Sequence, residues 1–226
     1  MKGYRNFIII FGLLLVIYIV AEANKPKPVN WKVSLSKDDK NPYGGYIIFN
    51  QLKTIFPGGV IESHRTPLYN QLNNYTGSAT TYLLISQSFS LSANDFEEMR
   101  NYVAKGNYVF ASAVNFNKIF SDSLGFKTFS RVSLLKEDST SVNFVNPLLK
   151  RRNNFIFKKS TIDEYFSKFD TARSVILGVN KNARPNFIKV DHGAGAFFIH
   201  SAPLCFSNYF MLYQDNAEYT LSLIHI

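Results

Sequence analysis

The pattern of hydrophobic and polar positions begins with one long apolar stretch. Residues 7–21 form a run of Phe, Ile, Leu, Val, Tyr, Ala and a single Gly, with Lys2 and Arg5 ahead of it. A helix rises about 1.5 Å per residue and therefore needs about 20 residues to cross a bilayer. The apolar run reaches this length when the residues that flank it are included. We therefore predict a transmembrane segment in residues 1–23 that contacts the lipid bilayer through residues 7–21.

The same segment has features of a membrane anchor and of a cleaved secretion signal. Ala21 and Ala23 provide the small-x-small pattern of a signal-peptidase site. The apolar run is long for a cleaved signal, so we favour an uncleaved signal-anchor. Basic residues ahead of the run favour a cytoplasmic amino terminus, and long domains cross membranes largely regardless of their charge. We expect a single-pass protein of the bacterial inner membrane whose domain lies outside the cytoplasm.

Strand and helix patterns follow a short spacer. The spacer, residues 24–30, alternates lysine and proline and is predicted to be an extended linker. Residues 31–36 alternate apolar and polar side chains, which predicts a strand with one buried face, and residues 60–64 are predicted as a second short strand. Between them, residues 46–56 place apolar side chains on one helical face and end at Pro-Gly-Gly, which predicts a helix.

The clearest unit is a strand–helix–strand pattern. Residues 81–87 and 107–113 are apolar and strand-like, and residues 96–103 carry apolar side chains at helical spacing. Lys105 and Gly106 mark the end of this helix, with a cation in the last turn and a glycine just after it. Together these segments predict a right-handed βαβ crossover in a parallel sheet.

Beyond residue 125 the pattern changes to short strands joined by polar turns. Gly193 and Gly195 separate two of them and predict a hairpin whose turn uses positive φ angles, and residues 207–214 have a helical pattern. The strand candidates are residues 126–135, 141–145, 155–159, 174–179, 187–190 and 196–201.

These elements predict an α/β fold. We expect one three-layer, mostly parallel sheet of the Rossmann or flavodoxin type with an added β-rich C-terminal part, forming a single domain over residues 31–220. Residues 221–226 end without a helix cap or a polar tail, and we interpret them as a non-native or truncated tail.

The net charge of +9 is concentrated in one segment. Counting Lys and Arg against Asp and Glu gives +1 for residues 1–23, +4 for 24–149, +7 for 150–189 and −3 for 190–226. On an exported domain this local surplus of positive charge favours anionic lipid headgroups, cell-wall polymers or an acidic protein as partners over DNA. A plain solvated surface without a partner is favoured over all of these. We therefore predict no nucleic-acid partner.

Cysteine and histidine usage argues against common metal and cofactor sites. Cys205 is the single cysteine, which excludes an intramolecular disulfide and any zinc site with two thiolates. No two histidines have the i, i+3 or i, i+4 spacing that places two ligands on one helix face. The glycines at 193 and 195 precede a strand instead of opening a helix, so they do not form a dinucleotide fingerprint. We predict no metal and no cofactor.

Two serine-based arrangements are candidates for nucleophilic catalysis. Ser112 ends a predicted strand, where hydrolases place a nucleophile elbow, but the flanking glycines of an elbow are absent. Asp191, His192 and Ser201 contain the residue types of a catalytic triad, although a triad is recognised by its geometry and not by spacing. The competing interpretation is structural: Ser112 packs under a helix, and His192 lies in a solvated hairpin turn.

The candidate ligand-binding segment is the polar loop between residues 37 and 45. It follows the first predicted strand, and ligands of open α/β sheets bind at the carboxyl ends of strands. A charged, solvated loop is the alternative. The candidate ligand-binding residues are Lys37, Asp38, Asp39, Asn41, Tyr43 and Gly44.

Several short motifs distributed over about residues 29–220 are similar to those of one family. They are Asn30-Trp31, residues 36–44, Phe56-Pro57-Gly58, residues 106–110, residues 144–147, Leu177-Gly178, residues 193–201, Pro203 and residues 206–209. On these motifs the chain resembles a family of uncharacterised bacterial proteins known as a domain of unknown function, encoded in some genomes near MoxR-type ATPases.

The resemblance implies a fold related to class I glutamine amidotransferases and to extracytoplasmic domains of gliding-type transport proteins. It also implies a membrane anchor before the domain and a second transmembrane helix after it. The Gly-x-Cys-x-Gly elbow of the amidotransferases is not matched in this sequence. The resemblance therefore carries over no enzymatic activity and no catalytic residue.

Three function classes remain from the sequence. The first is a non-catalytic binding or scaffolding domain of a bacterial membrane complex, with a partner protein linked to a MoxR-type ATPase. The second is a degenerate or unconventional hydrolase that uses Ser112, or His192 with Asp191. The third is a basic surface module centred on Arg151 and Arg152. The sequence assigns no oligomeric state.

Overall fold

The structure, a computed structural model, describes residues 2–26, 28–130, 139–158 and 163–225. The chain divides into two compact units, Met1–Asn30 and Trp31–Ile226. In the first unit, helix α1 (Lys2–Ala23) exposes its apolar side chains along its whole length. Its segment Gly3–Ala23 has a mean hydropathy of 2.4 and is the one described helix long and apolar enough to span a membrane. The predicted N-terminal apolar helix is thus confirmed.

The second unit contains the remaining described elements. The helices are α2 (Tyr46–Ile55), α3 (Leu68–Leu72), α4 (Ala93–Ala104), α5 (Lys118–Leu124), α6 (Asn208–Met211) and α7 (Asn216–His225), with a 3₁₀ turn at Pro203–Phe206. The strands are β1 (Thr81–Ile85), β2 (Ser88–Phe89), β3 (Tyr108–Ser112), β4 (Asn115–Phe116), β5 (Lys127–Ser130), β6 (Ser139–Phe144), β7 (Phe155–Lys158), β8 (Glu164–Lys168), β9 (Ser174–Asn180), β10 (Pro185–His192) and β11 (Gly195–His200).

The main sheet is mixed, and the predicted three-layer, mostly parallel sheet is wrong. Among the described residues the strand order is β1-β3-β11-β10-β9-β6-β7. Only β1–β3 and β3–β11 pair in parallel, and the other four pairings are antiparallel. The sheet curls into a half-barrel, and register shifts around Phe187 in the β9–β10 pairing mark irregularities of the kind that increase twist.

The βαβ crossover is the part of the fold that the sequence predicts correctly. Strands β1 and β3 pair in parallel with α4 between them. Ser92 caps α4 by accepting a hydrogen bond from the Asp95 backbone N–H, and the Asp95 carboxylate reciprocates at the Ser92 N–H. The helix ends at Ala104 with Lys105 as its C-cap, and Gly106 follows with a φ of +95° that favours glycine.

Alternation along the strands divides the core between two faces of the sheet. On β3, Val109 and Ala111 join a cluster with α3, α4 and α5, whereas Phe110 joins a second cluster with α2, α6 and α7. Successive side chains of a strand point to opposite faces, so one apolar strand supplies both clusters. The helices therefore cover both faces of β3.

Two predicted strands near the amino end of the second unit are wrong. Residues 31–36 and 60–64 form no strand. Leu35 has a φ of +50°, and the backbone N–H groups of Ser34 and Leu35 both donate to the Tyr43 carbonyl instead of to a sheet neighbour. The alternation of apolar residues at 31–36 thus reflects packing of an irregular loop.

The other element predictions have mixed outcomes. The helix at 46–56 and the β10–β11 hairpin are confirmed, with Gly193 at a φ of +60° in the turn. The predicted strand at 126–135 is confirmed over 127–130, while residues 131–135 lie outside the described residues. Helix α7 was not predicted, and it runs through residues 221–225 with Leu223 buried.

Candidate functional site

A chain of three polar side chains runs through the core next to the central strands. Ser112 ends β3, and His200 occupies the paired position on the parallel strand β11. Ser112 Oγ lies 2.9 Å from His200 Nδ1, and His200 Nε2 lies 3.3 Å from the hydroxyl of Tyr219 on α7. The sequence singles out Ser112 but gives no sign of its partners, which are 88 and 107 residues away along the chain.

Burial determines the protonation of this chain. His200 is fully buried, and burial lowers its pKa from 6.5 to about 3. Burial also raises the pKa of the Tyr219 hydroxyl well above its ordinary value. A neutral imidazole has one N–H donor and one acceptor nitrogen, so either tautomer satisfies one hydrogen bond to Ser112 and one to Tyr219. The three groups are therefore mutually satisfied and uncharged.

The geometry differs from that of a working serine hydrolase. Ser112 is 1% exposed and His200 and Tyr219 are not exposed, so a substrate carbonyl has no path to the Ser112 hydroxyl. A catalytic triad also requires a group that stabilises the imidazolium, a role performed by a carboxylate. Here the third group is a neutral phenol, and the environment disfavours the imidazolium. The hydrogen bonds between Ser112, His200 and Tyr219 can orient α7 on the sheet. In this conformation the three side chains cannot provide an exposed nucleophile.

The second triad candidate is not assembled. His192 pairs with Gly195 at the turn end of the β10–β11 hairpin. Ser201 follows the opposite end of β11, six residues from Gly195, and at about 3.3 Å per residue this separates it from His192 by about 20 Å. The Ser201 hydroxyl donates to the Glu164 carbonyl at 3.0 Å. Asp191 and His192 therefore lie far from the serine that the triad needs.

The sequence gives no indication that Glu164 is buried. Its side chain lies on β8 with 7% exposure, and its Oε1 accepts a hydrogen bond from the Ser130 hydroxyl at 3.4 Å. Burial is the largest cause that raises the pKa of this carboxyl from 4.5 to about 7. Because the folded state retains a proton that the unfolded chain has lost, Glu164 destabilises the domain as pH rises from about 4.5 through about 7.

We expect Glu164→Gln to stabilise the domain at pH 8 by about 2 kcal/mol, since glutamine removes the buried charge and keeps an acceptor for Ser130. The gain should disappear at pH 4, where glutamic acid is neutral in both states. Urea unfolding of the full chain in a nonionic detergent at the two pH values measures this gain in the free energy of unfolding. Glu62→Gln, at an exposed carboxylate, is the matched control, and an equal effect of both substitutions would contradict the role of burial.

The predicted ligand-binding loop is internally hydrogen-bonded. One carboxylate oxygen of Asp39 accepts from the Ser34 hydroxyl and the other from the Asn41 backbone N–H, and these bonds lower the pKa of Asp39. Gly44 is required for close packing, because a Cβ atom there would lie 1.9 Å from the Asp39 carbonyl oxygen. The loop thus forms a tight turn, and the premise that it follows a strand is wrong.

Asn208 at the start of α6 attaches this loop to the domain. Its Nδ2 donates to the carbonyls of Asp39 and Asn41 at 2.9 and 2.8 Å, and its Oδ1 accepts from the Ile47 N–H at 2.9 Å. The backbone N–H of Asn208 donates to Gly44 at 2.9 Å. The only sequence signal for this contact is that the loop and Asn208 both belong to motifs of the family resemblance.

The remaining loop candidates lie around the same turn. Lys37 Nζ lies 4.8 Å from the centroid of the Phe49 ring, and Asp38 is within 3.7 Å of Lys37 and of Arg65. The Tyr43 ring contacts the rings of Trp31 and Tyr209, and burial raises the pKa of its hydroxyl. All six candidates lie in this one loop, and contacts of Asp39, Asn41 and Gly44 hold its turn. Their binding of a ligand stays a prediction.

The basic segment 150–189 is partly neutralised by the acidic C-terminal segment. Arg151 pairs with Asp215 and Glu218, and Lys189 Nζ lies 2.7 Å from the Asp191 carboxylate. The Arg151 guanidinium also stacks 5.0 Å from the Phe155 ring centroid. Within the described residues no group of three His, Cys, Asp or Glu side chains is arranged to hold a metal ion.

Comparison with known proteins gives a family and a fold. A family model described as "Domain of unknown function (DUF4350)" matches residues 39–224. No curated protein matches the chain. The chain is similar to the mmIFT52 N-terminal domain, with a TM-score of 0.59 and 11% identity over 80% of this chain and 88% of that one. At this identity the likeness shows the fold alone.

A more distant likeness is to the cytoplasmic protein STM3548 from Salmonella typhimurium. The TM-score is 0.45, with 14% identity over 72% of this chain and 76% of that one. These comparisons do not show the amidotransferase-like fold or the link to a MoxR-type ATPase that the resemblance implies.

Proposed function

The chain belongs to the DUF4350 family, and from this premise we propose that it is a membrane-anchored, non-catalytic binding domain of a bacterial membrane complex. The anchor is α1, the domain lies outside the cytoplasm, and the partner is a membrane-complex protein linked to a MoxR-type ATPase. The ligand-facing segment of this proposal is the loop that Asn208 holds against α6.

The observation that carries the non-catalytic role is the sealed Ser112–His200 pair. A serine nucleophile requires both solvent access and a base that can accept its proton. Ser112 has 1% exposure, and the pKa of His200 is lowered to about 3 by burial. The pair that resembles catalytic machinery most closely therefore supports a structural role.

The exposure of α1 supports the anchor. Its apolar side chains cover the whole circumference of the helix and are exposed within the unit that contains it, from Phe7 at 66% to Val20 at 54%. A helix that is apolar on all sides lacks the polar face of a surface helix in a globular domain, and a bilayer is the solvent that such a helix favours.

A single preparation of spheroplasts tests both the membrane anchor and the non-catalytic role. The chain, carrying a C-terminal epitope, is expressed in a bacterium, and spheroplasts are treated with a protease and, separately, with a fluorophosphonate that labels accessible nucleophilic serines. We expect the full-length chain in the membrane fraction, degradation of its domain by external protease, and no label at Ser112. Ser112→Ala is the matched control for labelling.

Two outcomes would overturn the proposal. Labelling that disappears in Ser112→Ala would show an accessible nucleophile and contradict the non-catalytic role. A soluble chain that begins at Asn24 would show cleavage after the small-x-small site and contradict the anchor, because cleavage there removes α1.

A further inference from the structure

A cavity of about 310 Å³ lies on the α4 side of the sheet, away from the loop discussed above. One face of α4 contributes positions at i, i+3, i+4 and i+7, beginning with Ala93, which is the spacing of a single helical stripe. Helix α5, the turn before β9 and the end of β10 complete the walls. Four separate segments therefore converge on one concave surface of a volume typical of small-ligand sites.

The cavity has an apolar floor. Phe96 and Leu124 are buried at its base, and Ile119, which is 39% exposed, lies along its edge. This floor continues into the core, because the Phe96 ring packs edge-on against Phe120 at a centroid distance of 5.9 Å. A rigid apolar surface of this kind suits a flat or branched hydrocarbon group.

Three basic side chains surround the floor. Arg100, Arg173 and His192 line the cavity together with the single carboxylate of Glu97. Arg100 Nη2 donates to Glu97 Oε1 at 2.6 Å, and Arg173 Nε donates to the Asp170 carboxylate at 2.9 Å.

These ion pairs hold both guanidinium groups in place and leave N–H donors for a further acceptor, since each arginine has five. With His192 neutral, the two arginines are matched by the carboxylates of Glu97 and Asp170, so recognition of an acid depends on the remaining N–H donors and not on a net charge.

We infer that this cavity binds a small organic acid, with its hydrocarbon part on the Phe96–Leu124 floor and its carboxylate or phosphate between Arg100 and Arg173. Planar guanidinium groups recognise both of these anions through paired N–H donors. The lining combines apolar contact area with a few fixed polar groups, which is the composition of small-molecule sites. This inference goes beyond the proposed function and does not depend on the membrane placement.

His192 provides a built-in reporter of binding. Burial is the largest cause that lowers its pKa, followed by Arg100 and Arg173, while Glu97 raises it. Asp191, the neighbouring residue on β10, is directed to Lys189. An anion placed between the two arginines would offset their charge, so the pKa of His192 should rise when the cavity is filled.

The test uses the full chain in a nonionic detergent and follows the imidazole resonances of His192 by NMR. The probes are benzoate and phenyl phosphate, with phenol as the neutral analogue and inorganic phosphate as the head group alone. We expect both organic anions to give saturable shifts of His192 and to raise its pKa, whereas phenol and inorganic phosphate should bind at least about tenfold more weakly.

Substitutions identify the site. Arg100 is an exposed helix residue, so Arg100→Gln should leave the urea unfolding curve unchanged while weakening benzoate binding about tenfold. Arg173→Gln should weaken it similarly, and Arg65→Gln, an exposed arginine elsewhere, should change it less than about twofold.

Three results would overturn the inference. Absence of saturable binding by both organic anions would remove the site. Equal binding by wild type and Arg100→Gln would show that the arginines are not used. Inorganic phosphate that binds as tightly as phenyl phosphate would show that the apolar floor makes no contribution. None of these results would affect the membrane and labelling experiment above.

Discussion

Asn208→Ala is expected to lower the free energy of unfolding by about 3–5 kcal/mol. The side chain is 5% exposed and makes hydrogen bonds to Asp39, Asn41 and Ile47. Its removal takes the partner from the Asp39 carbonyl and the Ile47 N–H, and it leaves the Asn41 carbonyl with the Gly44 N–H as its donor. Each unsatisfied group in a partly buried site costs about 1–3 kcal/mol. The substitution thus loosens the loop on α6, where the backbone bonds from Asn208 to Gly44 and from Tyr209 to Pro42 remain.

Urea unfolding of the full chain measures this loss, and the emission of the single tryptophan reports on the loop directly. The Trp31 ring is 45% exposed, and its centroid lies 5.6 and 5.5 Å from those of Tyr43 and Tyr209, so loosening of the loop removes these ring contacts and changes the tryptophan fluorescence. Asn50→Ala is the control, because Asn50 is exposed and bonds only within its own helix. A stability within about 0.5 kcal/mol of wild type, with unchanged emission, would refute the role of Asn208.

The domain should lose about 2 kcal/mol of stability through His200 alone between pH 6.5 and pH 4.5. The folded-state pKa of His200 is lowered to about 3. Below pH 6.5 the unfolded chain takes up a proton that the folded state does not, so this contribution is lost as pH falls toward 3, by about 1.4 kcal/mol per pH unit. Glu164 acts in the opposite direction over the whole interval from pH 6.5 to pH 4.5, so the wild-type curve alone does not isolate His200.

The difference in the free energy of unfolding between wild type and His200→Gln, measured as a function of pH, isolates the contribution of His200. At pH 7 the variant should be less stable, since glutamine does not reproduce both hydrogen bonds to Ser112 and Tyr219. Below pH 6.5 the difference in the free energy of unfolding should narrow by about 1.4 kcal/mol per pH unit. The wild type loses the His200 contribution in this range, whereas the variant has no imidazole at position 200 to titrate. His64→Gln, at an exposed histidine, is the control. A difference that is constant with pH would show that His200 is accessible to protons in the folded state.

The wrong fold prediction has an identifiable cause. The sequence predicts the βαβ unit at 81–113 correctly, and the prediction is wrong where it assumes the same parallel pairing for the whole sheet. The later strands are joined by short connections, such as the Gly193 turn between β10 and β11, and short connections produce antiparallel neighbours. Successive side chains alternate between the two faces of a strand in both kinds of pairing, so this alternation by itself does not distinguish them.

The candidate sites differ in how far the sequence could predict them. The sequence predicts the loop 37–45 as a unit, but the hydrogen bonds from the Asn208 side chain to Asp39 and Asn41 span 169 and 167 residues and leave no local pattern. The sequence indicates Ser112 as a candidate nucleophile and gives no sign of its partner His200. The cavity between α4 and α5 was not predicted, because Arg100, Arg173 and His192 are ordinary exposed or turn residues in the sequence.

The sequence by itself determined the features that arise from local periodicity: the apolar helix α1, the α4 crossover with its end at Gly106, and the β10–β11 hairpin. Each depends on interactions between residues close in the chain, whose spacing fixes the backbone conformation. Only the tertiary structure decided the strand order, the burial of Ser112 with His200, and the convergence of the arginines. These depend on which surfaces pack together, and packing across a hundred residues is set by the shape of the whole core.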